Sequence, residues 1–249
     1  MKSYNYIDKG QGQVIIFLHG LMGGLSNFKD VTDFFSDKGY NVVIPELPIY
    51  DLPIKETTVT VFSDFLEDFI KYKNFKNVIL LGNSLGGHVG LIYSNKHPNS
   101  VKSLVLTGSS GLYENSMGES YPKRENYDYI KRKTQEVFYN PKVATKEIVD
   151  EVFETVNNRD KLVRTLAIAK SAIRHNMAKE LPNIKTPTLL IWGENDLVTP
   201  PEVAYEFNSL LPNSKLKWIK KCGHAPMMEH PQEFNRILIN WLSKKSDLV

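Results

Sequence analysis

The stretch Val78-Ile-Leu-Leu-Gly82-Asn83-Ser84-Leu85-Gly86-Gly87-His88-Val89 constrains this chain more than any other. An apolar run leads straight into Gly-x-Ser-x-Gly and then into helix-forming sequence. Between a strand and a helix, that pentapeptide forms a nucleophile elbow, a sharp turn that lifts the serine hydroxyl above the sheet edge. Gly82 and Gly86 lack side chains, so strand and helix can approach closely around a strained serine backbone. Gly87 permits tight packing of the helix that follows. A serine at a helix N-terminus also lies where backbone N–H groups favour developing negative charge. Ser84 therefore reads as a nucleophile.

Further apolar runs fit buried strands: Val14 to Leu18, Asn41 to Ile44, Asn77 to Leu81, Val101 to Thr107, Thr188 to Trp192 and Lys215 to Ile219. Continuous apolar runs suit parallel strands covered on both faces. Between them, Phe28, Val31, Phe34 and Phe35 fall on one helical face, as do Val61, Phe65, Leu66 and Phe69. Alternating strands and helices predict an α/β fold, a mostly parallel central sheet with helices on both faces. The alternation from Ser3 to Ile7 adds an expected antiparallel edge strand. From Leu112 to Ile184 no strand-like run occurs, only charged, helix-prone sequence such as Tyr129-Ile-Lys-Arg-Lys-Thr-Gln-Glu. The expected organisation is a core formed by residues 1–111 and 185–249, with residues 112–184 as a helical lid.

Three further segments supply the expected chemistry. Phe17-Leu-His19-Gly20-Leu21-Met22-Gly23-Gly24 follows the first buried strand. A loop there can aim a backbone N–H at the substrate of the nucleophile and complete an oxyanion hole. The expected donors are the amides of Leu21 and Leu85, with Met22 as a substitute. The glycine spacing fits neither Gly-x-Gly-x-x-Gly nor a P-loop, and His19 reads as a brace for the loop. Leu189-Leu-Ile-Trp-Gly193-Glu194-Asn195-Asp196 is a strand ending in an acidic turn, with Asp196 the expected acid and Glu194 its rival. Lys215 to Ile219 leads to Cys222-Gly223-His224-Ala225-Pro226, which offers His224 as general base.

Residues Val14 to Lys245 resemble the α/β-hydrolase family in their His-Gly loop, elbow, Gly-x-x-Asp turn and Gly-His-x-Pro loop ending in Glu229-His230-Pro231. The resemblance implies an eight-stranded-type sheet with a helical lid and a triad of Ser84, Asp196 and His224. A serine nucleophile disfavours the haloalkane-dehalogenase and epoxide-hydrolase branches, which use aspartate. The Gly-Asn-Ser elbow and the Gly24-Leu-Ser26-Asn27-Phe28 stretch resemble meta-cleavage-product hydrolases, which split carbon–carbon bonds in vinylogous diketones. Those enzymes usually carry tryptophan after the catalytic histidine, where this chain has Ala225, and a His-Gly-Gly-Gly-Pro-Gly loop, which it lacks. Its His19-Gly-Leu-Met-Gly-Gly form is more similar to small carboxylesterases.

The expected function is hydrolysis of a small carboxylic ester through an acyl-enzyme. Leu21, Met22, Leu85, Met227 and Met228 are available for an apolar acyl slot. A carbon–carbon hydrolase is the alternative, with Asn27, Asn83 and Arg174 as candidate polar groups near the oxyanion. A non-catalytic ligand-binding protein on the same fold is a further one.

With 249 residues the chain suits one large α/β domain or two small ones. Its formal net charge of +3 gives no argument for nucleic acid. Cys222 is the single cysteine, which excludes an intrachain disulfide and a cysteine-based zinc site. No metal or organic cofactor is called for, and a small-molecule acyl substrate is the expected partner. A polar N-terminus and the lack of long apolar runs predict a cytoplasmic protein without a membrane span. The sequence leaves the oligomeric state open. His88, His97 and Cys222 read as packing residues, His230 as a helix start, Lys131-Arg132-Lys133 as a solvated helix face, and Arg174 and His175 as surface residues.

Overall fold

A computed structural model describes residues 4–114 and 123–246. After the edge strand β1 (Tyr6–Gly10), the chain alternates strand and helix: β2 (Gln13–Leu18), α1 (Lys29–Asp37), β3 (Tyr40–Pro45), α2 (Val59–Tyr72), β4 (Val78–Asn83), α3 (Leu85–Lys96) and β5 (Val101–Thr107). Three helices then follow in succession, α4 (Tyr127–Gln135), α5 (Lys146–Asn157) and α6 (Arg159–Arg174). The alternation resumes with β6 (Thr188–Gly193), α7 (Pro201–Leu210) and β7 (Ser214–Ile219), and ends in α8 (Pro226–Glu229) and α9 (Pro231–Ser246).

The sheet order is β1-β3-β2-β4-β5-β6-β7. Neighbours from β3 to β7 pair in parallel, and β1 runs antiparallel to β3 with Tyr6 opposite Pro45 and Gly10 opposite Asn41. Two expectations change here. Ser3 lies outside the described residues; the edge strand takes in Tyr6 and not Tyr4 or Asn5, and pairing with β3 carries it beyond Ile7 through Asp8 and Lys9 to Gly10. The sheet has seven strands among the described residues and not eight. Gly10 and Gly12, at φ of 93° and 106°, turn β1 directly into β2, so one antiparallel strand precedes β2 among the described residues.

Strand side chains alternate between the two faces. Ile16 and Leu18 of β2 join Leu80 of β4 in a core shared with Phe62, Leu66 and Phe69 of α2 and Phe207 of α7. Ile15 and Phe17 point the other way, to Val31 and Phe35 of α1 and Phe234 and Leu238 of α9. Each such side chain contributes about 1.5–3 kcal/mol by leaving water. The buried stripe of α2 is Val59, Phe62, Leu66 and Phe69, while Val61 and Phe65 are only half-buried. At the open sheet edge, exposed Lys215 and Lys217 of β7 alternate with half-buried Leu216 and Trp218.

The three-helix stretch between β5 and β6 lies within the expected insertion, of which residues 115–122 fall outside the described residues. Each helix has a side-chain N-cap, from Asn126, Thr145 and Asn158 respectively. Ile130, Val152, Val156 and Leu162 form their own small core, against which Met22 of the β2 loop packs. Among the described residues no helix is long and apolar enough to cross a membrane.

Candidate active site

From β2 the chain goes to β3 on one side of the sheet and then returns to β4 on the other. Loops leaving the carboxyl ends of β2 and β4 therefore diverge, which leaves a crevice at that point of the sheet. Ser84 follows β4 with φ of 53° and ψ of −120°, in a region that L side chains rarely occupy. The flanking glycines hold it there. A Cβ on Gly86 would lie 2.0 Å from Leu18 O, and one on Gly82 2.4 Å from Gly87 N. Neither position can carry a side chain.

His224 and Asp196 meet at the ends of β7 and β6. His224 Nδ1 donates to Asp196 Oδ2 at 2.9 Å, and both residues are buried. Asp196 Oδ1 accepts the amides of Val198 and Thr199 at 2.9 and 3.0 Å, and Oδ2 accepts the Thr199 hydroxyl at 2.9 Å. Those donors hold the carboxylate against the imidazole, where it accepts the proton on Nδ1 and leaves Nε2 on the other side of the ring. Burial pushes the His224 imidazole down, but the Asp196 carboxylate and the more remote Glu114 outweigh it, so the net displacement is upward. Glu194, the rival acid, is exposed.

Ser84 and His224 line one cavity of about 220 Å3, which reaches up to α4, α5 and α6. Leu21, Met22, Val152, Leu166 and Met228 form much of its apolar wall. Leu85 and Met227, also expected in an acyl slot, are instead buried in the protein core. Leu85 opens α3, so its amide belongs to the first helical turn, whose donors have no partner within the helix. Leu21 and Met22 lie in the loop opposite. His19 braces that loop, with Nδ1 donating to Gly20 O at 2.9 Å and Nε2 accepting the Leu47 amide at 2.9 Å.

Of the expected polar groups, Asn27 and Asn83 line the cavity and Arg174 does not. Arg174 stands at the far end of α6, beside a different depression. The Asn83 Nδ2 is also not free to donate to substrate, because it donates to Thr107 O and His224 O at 3.0 and 3.1 Å. The charged groups lining the cavity are Lys133, Glu136 and Glu151, with Lys133 paired to Glu136 at 3.0 Å.

Two residues near the site escaped sequence reasoning. Thr199 donates to Asp196, and its carbonyl accepts Trp192 Nε1 at 2.8 Å, which anchors the acidic turn to the end of β6. An Asp-x-x-Thr spacing in a turn is the signal that could have found it. Glu114 sits half-buried past β5, and burial pushes its carboxyl up to about 7 against the pull of His224; nothing in its local sequence points there. Cys222 is buried, and burial pushes its thiol upward, as expected of a packing residue. Among the described residues, no group of three or more His, Cys, Asp or Glu side chains could hold a metal ion.

A family model for the alpha/beta hydrolase fold matches residues 13–167 and 157–231. The chain is 52% identical to MGS-MChE2, an alpha/beta hydrolase enzyme from the metagenome of sediments of the Mar Chica lagoon in Morocco. That match covers 99% of this chain and 97% of the other, with a TM-score of 0.82. It is 30% identical to a 2-hydroxy-6-oxo-6-(2'-aminophenyl)hexa-2,4-dienoic acid hydrolase of Metapseudomonas resinovorans, over 98% of this chain and 89% of that protein. It is 27% identical to Lipase 1 of Psychrobacter immobilis, over 90% of this chain and 75% of the lipase.

Proposed function

Since the chain belongs to the alpha/beta hydrolase fold family, we propose that it is a serine carboxylesterase acting on a small, uncharged ester. His224 Nε2 takes the proton of Ser84 Oγ as that oxygen attacks the ester carbonyl carbon. The carbonyl oxygen becomes an oxyanion that accepts N–H bonds from Leu85 and Leu21, with Met22 as substitute donor, each worth about 3 kcal/mol. Collapse of the tetrahedral intermediate breaks the bond to the alkoxy oxygen, and the imidazolium returns its proton to the departing alcohol. Water then adds to the acyl-enzyme by the same route, releasing the acid and restoring Ser84. Asp196 holds the imidazole tautomer and stabilises the imidazolium. Residues 112–184 act as a lid that shapes the acyl slot over a core of residues 1–111 and 185–249.

The observation that carries the ester reading over carbon–carbon cleavage is the charge of the cavity. A dienoate brings its own carboxylate into the site, and burying that charge demands a cation. Here Lys133 is matched by Glu136, and Glu151 adds a negative charge at the wall. The remaining wall is mostly apolar, which suits an uncharged acyl group. An anion entering this cavity meets net repulsion.

Rates with short p-nitrophenyl esters and with a meta-cleavage dienoate, measured on one preparation, test the reading. Ester kcat/KM is expected to exceed the dienoate value, and the reverse order would replace the function while leaving the triad in place. Ser84→Ala should lose on the order of a millionfold in kcat while keeping the fold. A purified variant retaining a few per cent of activity would remove Ser84 from its role.

A further inference from the structure

A second cavity, of about 470 Å3, opens between the start of α2 and the end of α6. Lys170 and Arg174 line it from successive turns of α6, with His175 just past the helix end, and no carboxylate lines it. Both cations are exposed, and among the described residues neither pairs with an acid. Two hydroxyls that line the cavity with them act as acceptors for backbone amides. Ser171 Oγ accepts the Val59 amide at 3.2 Å, and Thr58 Oγ1 accepts the Val61 amide at 3.3 Å, so each oxygen keeps its proton to give. Thr60 adds a third hydroxyl on the first turn of α2. Ile54 and Ala167 supply an apolar wall. The surface is made of donors and positive charge, with one greasy side.

A hydrogen-bonded chain, buried from His88 inward, runs from this cavity to the nucleophile. His175 Nδ1 lies 3.0 Å from His88 Nε2, and His88 Nδ1 lies 3.3 Å from Ser110 Oγ. Ser110 reaches Ser84 O twice, from its amide at 3.1 Å and from its hydroxyl at 3.4 Å. Burial, reinforced by His175, pushes the His88 imidazole down to about 3, so it stays neutral. One proton arrangement satisfies every link. Ser110 Oγ–H donates to Ser84 O, His88 Nδ1–H to Ser110 Oγ, and His175 Nδ1–H to His88 Nε2. His175 Nε2 is then left over and can take a proton without breaking the chain.

We propose that this cavity is a second site, which takes the phosphate group of a small soluble organic molecule and is coupled to the Ser84 backbone by the His175–His88–Ser110 chain. A phosphate presents acceptor oxygens and a charge near −2, matching two cations and three hydroxyl donors. The start of α2 favours the same sign of charge. The apolar wall receives the organic part. A bound phosphate favours the His175 imidazolium, whose Nδ1–H is the stronger donor, and the polarisation passes through His88 to Ser110.

The test titrates the full chain with inorganic phosphate and with phenyl phosphate at fixed ionic strength. Imidazole nitrogen resonances of His175 and His88 are followed by NMR, and p-nitrophenyl acetate kcat/KM is measured in the same buffers. Both imidazoles should shift saturably, with phenyl phosphate binding more tightly, and kcat/KM should change about twofold or more at saturation. The K170A/R174A variant should bind about tenfold more weakly or worse, through loss of two charge-assisted bonds. His175→Gln should still bind phosphate but lose the His88 response. No saturable shift, or unchanged affinity in the double variant, overturns the site. Binding that leaves His88 and kcat/KM unaltered overturns the coupling. Acetate acting as well as phosphate would overturn the phosphate assignment, and pelleting with phosphatidic acid vesicles would overturn a soluble ligand. The NMR arm needs no turnover, so failure of the esterase reading is distinguishable from failure of this site.

Discussion

Asn83 Nδ2 donates to the main-chain carbonyl of His224 at 3.1 Å, so the residue preceding the proposed nucleophile also holds the loop of the proposed base. The second proton of that amide goes to Thr107 O at 3.0 Å. Three segments remote in sequence are pinned by one side chain. Replacing it should separate positioning from chemistry.

Asn83→Ala takes the side-chain donor from the buried His224 carbonyl and leaves Thr107 O with the Ser84 amide alone, at a cost of about 1–3 kcal/mol in stability. Displacement of the His224 loop should lower kcat on the order of ten- to a hundredfold with little change in KM. Urea denaturation and ester kinetics measure the two effects. An unchanged kcat would show that the loop holds its place without Asn83.

The acidic turn gives a graded series. Asp196→Asn should lose roughly four orders of magnitude in kcat, because an amide favours the wrong imidazole tautomer. Thr199→Val removes one donor to the Asp196 carboxylate and should cost far less. Glu194→Gln, on an exposed side chain, should stay within a few-fold of wild type. Reversal of the Asp196 and Glu194 results would exchange their roles.

Ester kcat/KM should rise with pH through a midpoint above the ordinary imidazole value of 6.5, because only neutral His224 can accept the proton and its folded pKa is raised. Stability runs the other way. His224 and Glu114 both hold protons more tightly in the folded than in the unfolded state, the latter with 4.5 raised to about 7. Their contribution is complete at low pH and is lost as pH rises, through about 4.5 to 7 for Glu114 and above 6.5 for His224. Glu114→Gln removes one influence raising His224, so the activity limb should move to lower pH. A limb that stays fixed, or moves upward, would exclude that influence.

Ile148, Val152 and Leu166 reach the cavity from α5 and α6, while Ser84, Asp196 and His224 come from the sheet. Truncating them to alanine should change the ranking of p-nitrophenyl esters by acyl length and leave the pH profile intact. A set of such variants all keeping the wild-type ranking would deny these helices a part in selection.

Legibility followed the range of each interaction. The elbow is a local device, so Gly82, Ser84 and Gly86 could be read from their own strand and helix. The segments of Asp196 and His224 were readable for the same reason, each being a strand end with a turn. The bond between them, and the exposure of Glu194, depend on how β6 and β7 lie side by side. Asn83 was singled out for its type and mistaken in its use, because both of its acceptors are main-chain carbonyls from other segments. Arg174 was expected near the oxyanion, yet the run of α6 carries it to the far end of the helix. His88 looked like packing, and its partner His175 stands 87 residues along the chain. Pairings over such distances leave no local pattern to read.

The lysines of β7 bear on how copies of this protein treat one another. An outermost strand presents backbone donors and acceptors to any strand that comes alongside, and a second sheet edge is a ready complement. Lys215 and Lys217 line one face of that edge strand, with Lys220 and Lys221 just beyond its end. Two molecules aligning edge to edge would bring these like charges together before the first interchain bond could form. The half-buried Leu216 and Trp218 can thus sit at a sheet margin without seeding a continuous intermolecular sheet.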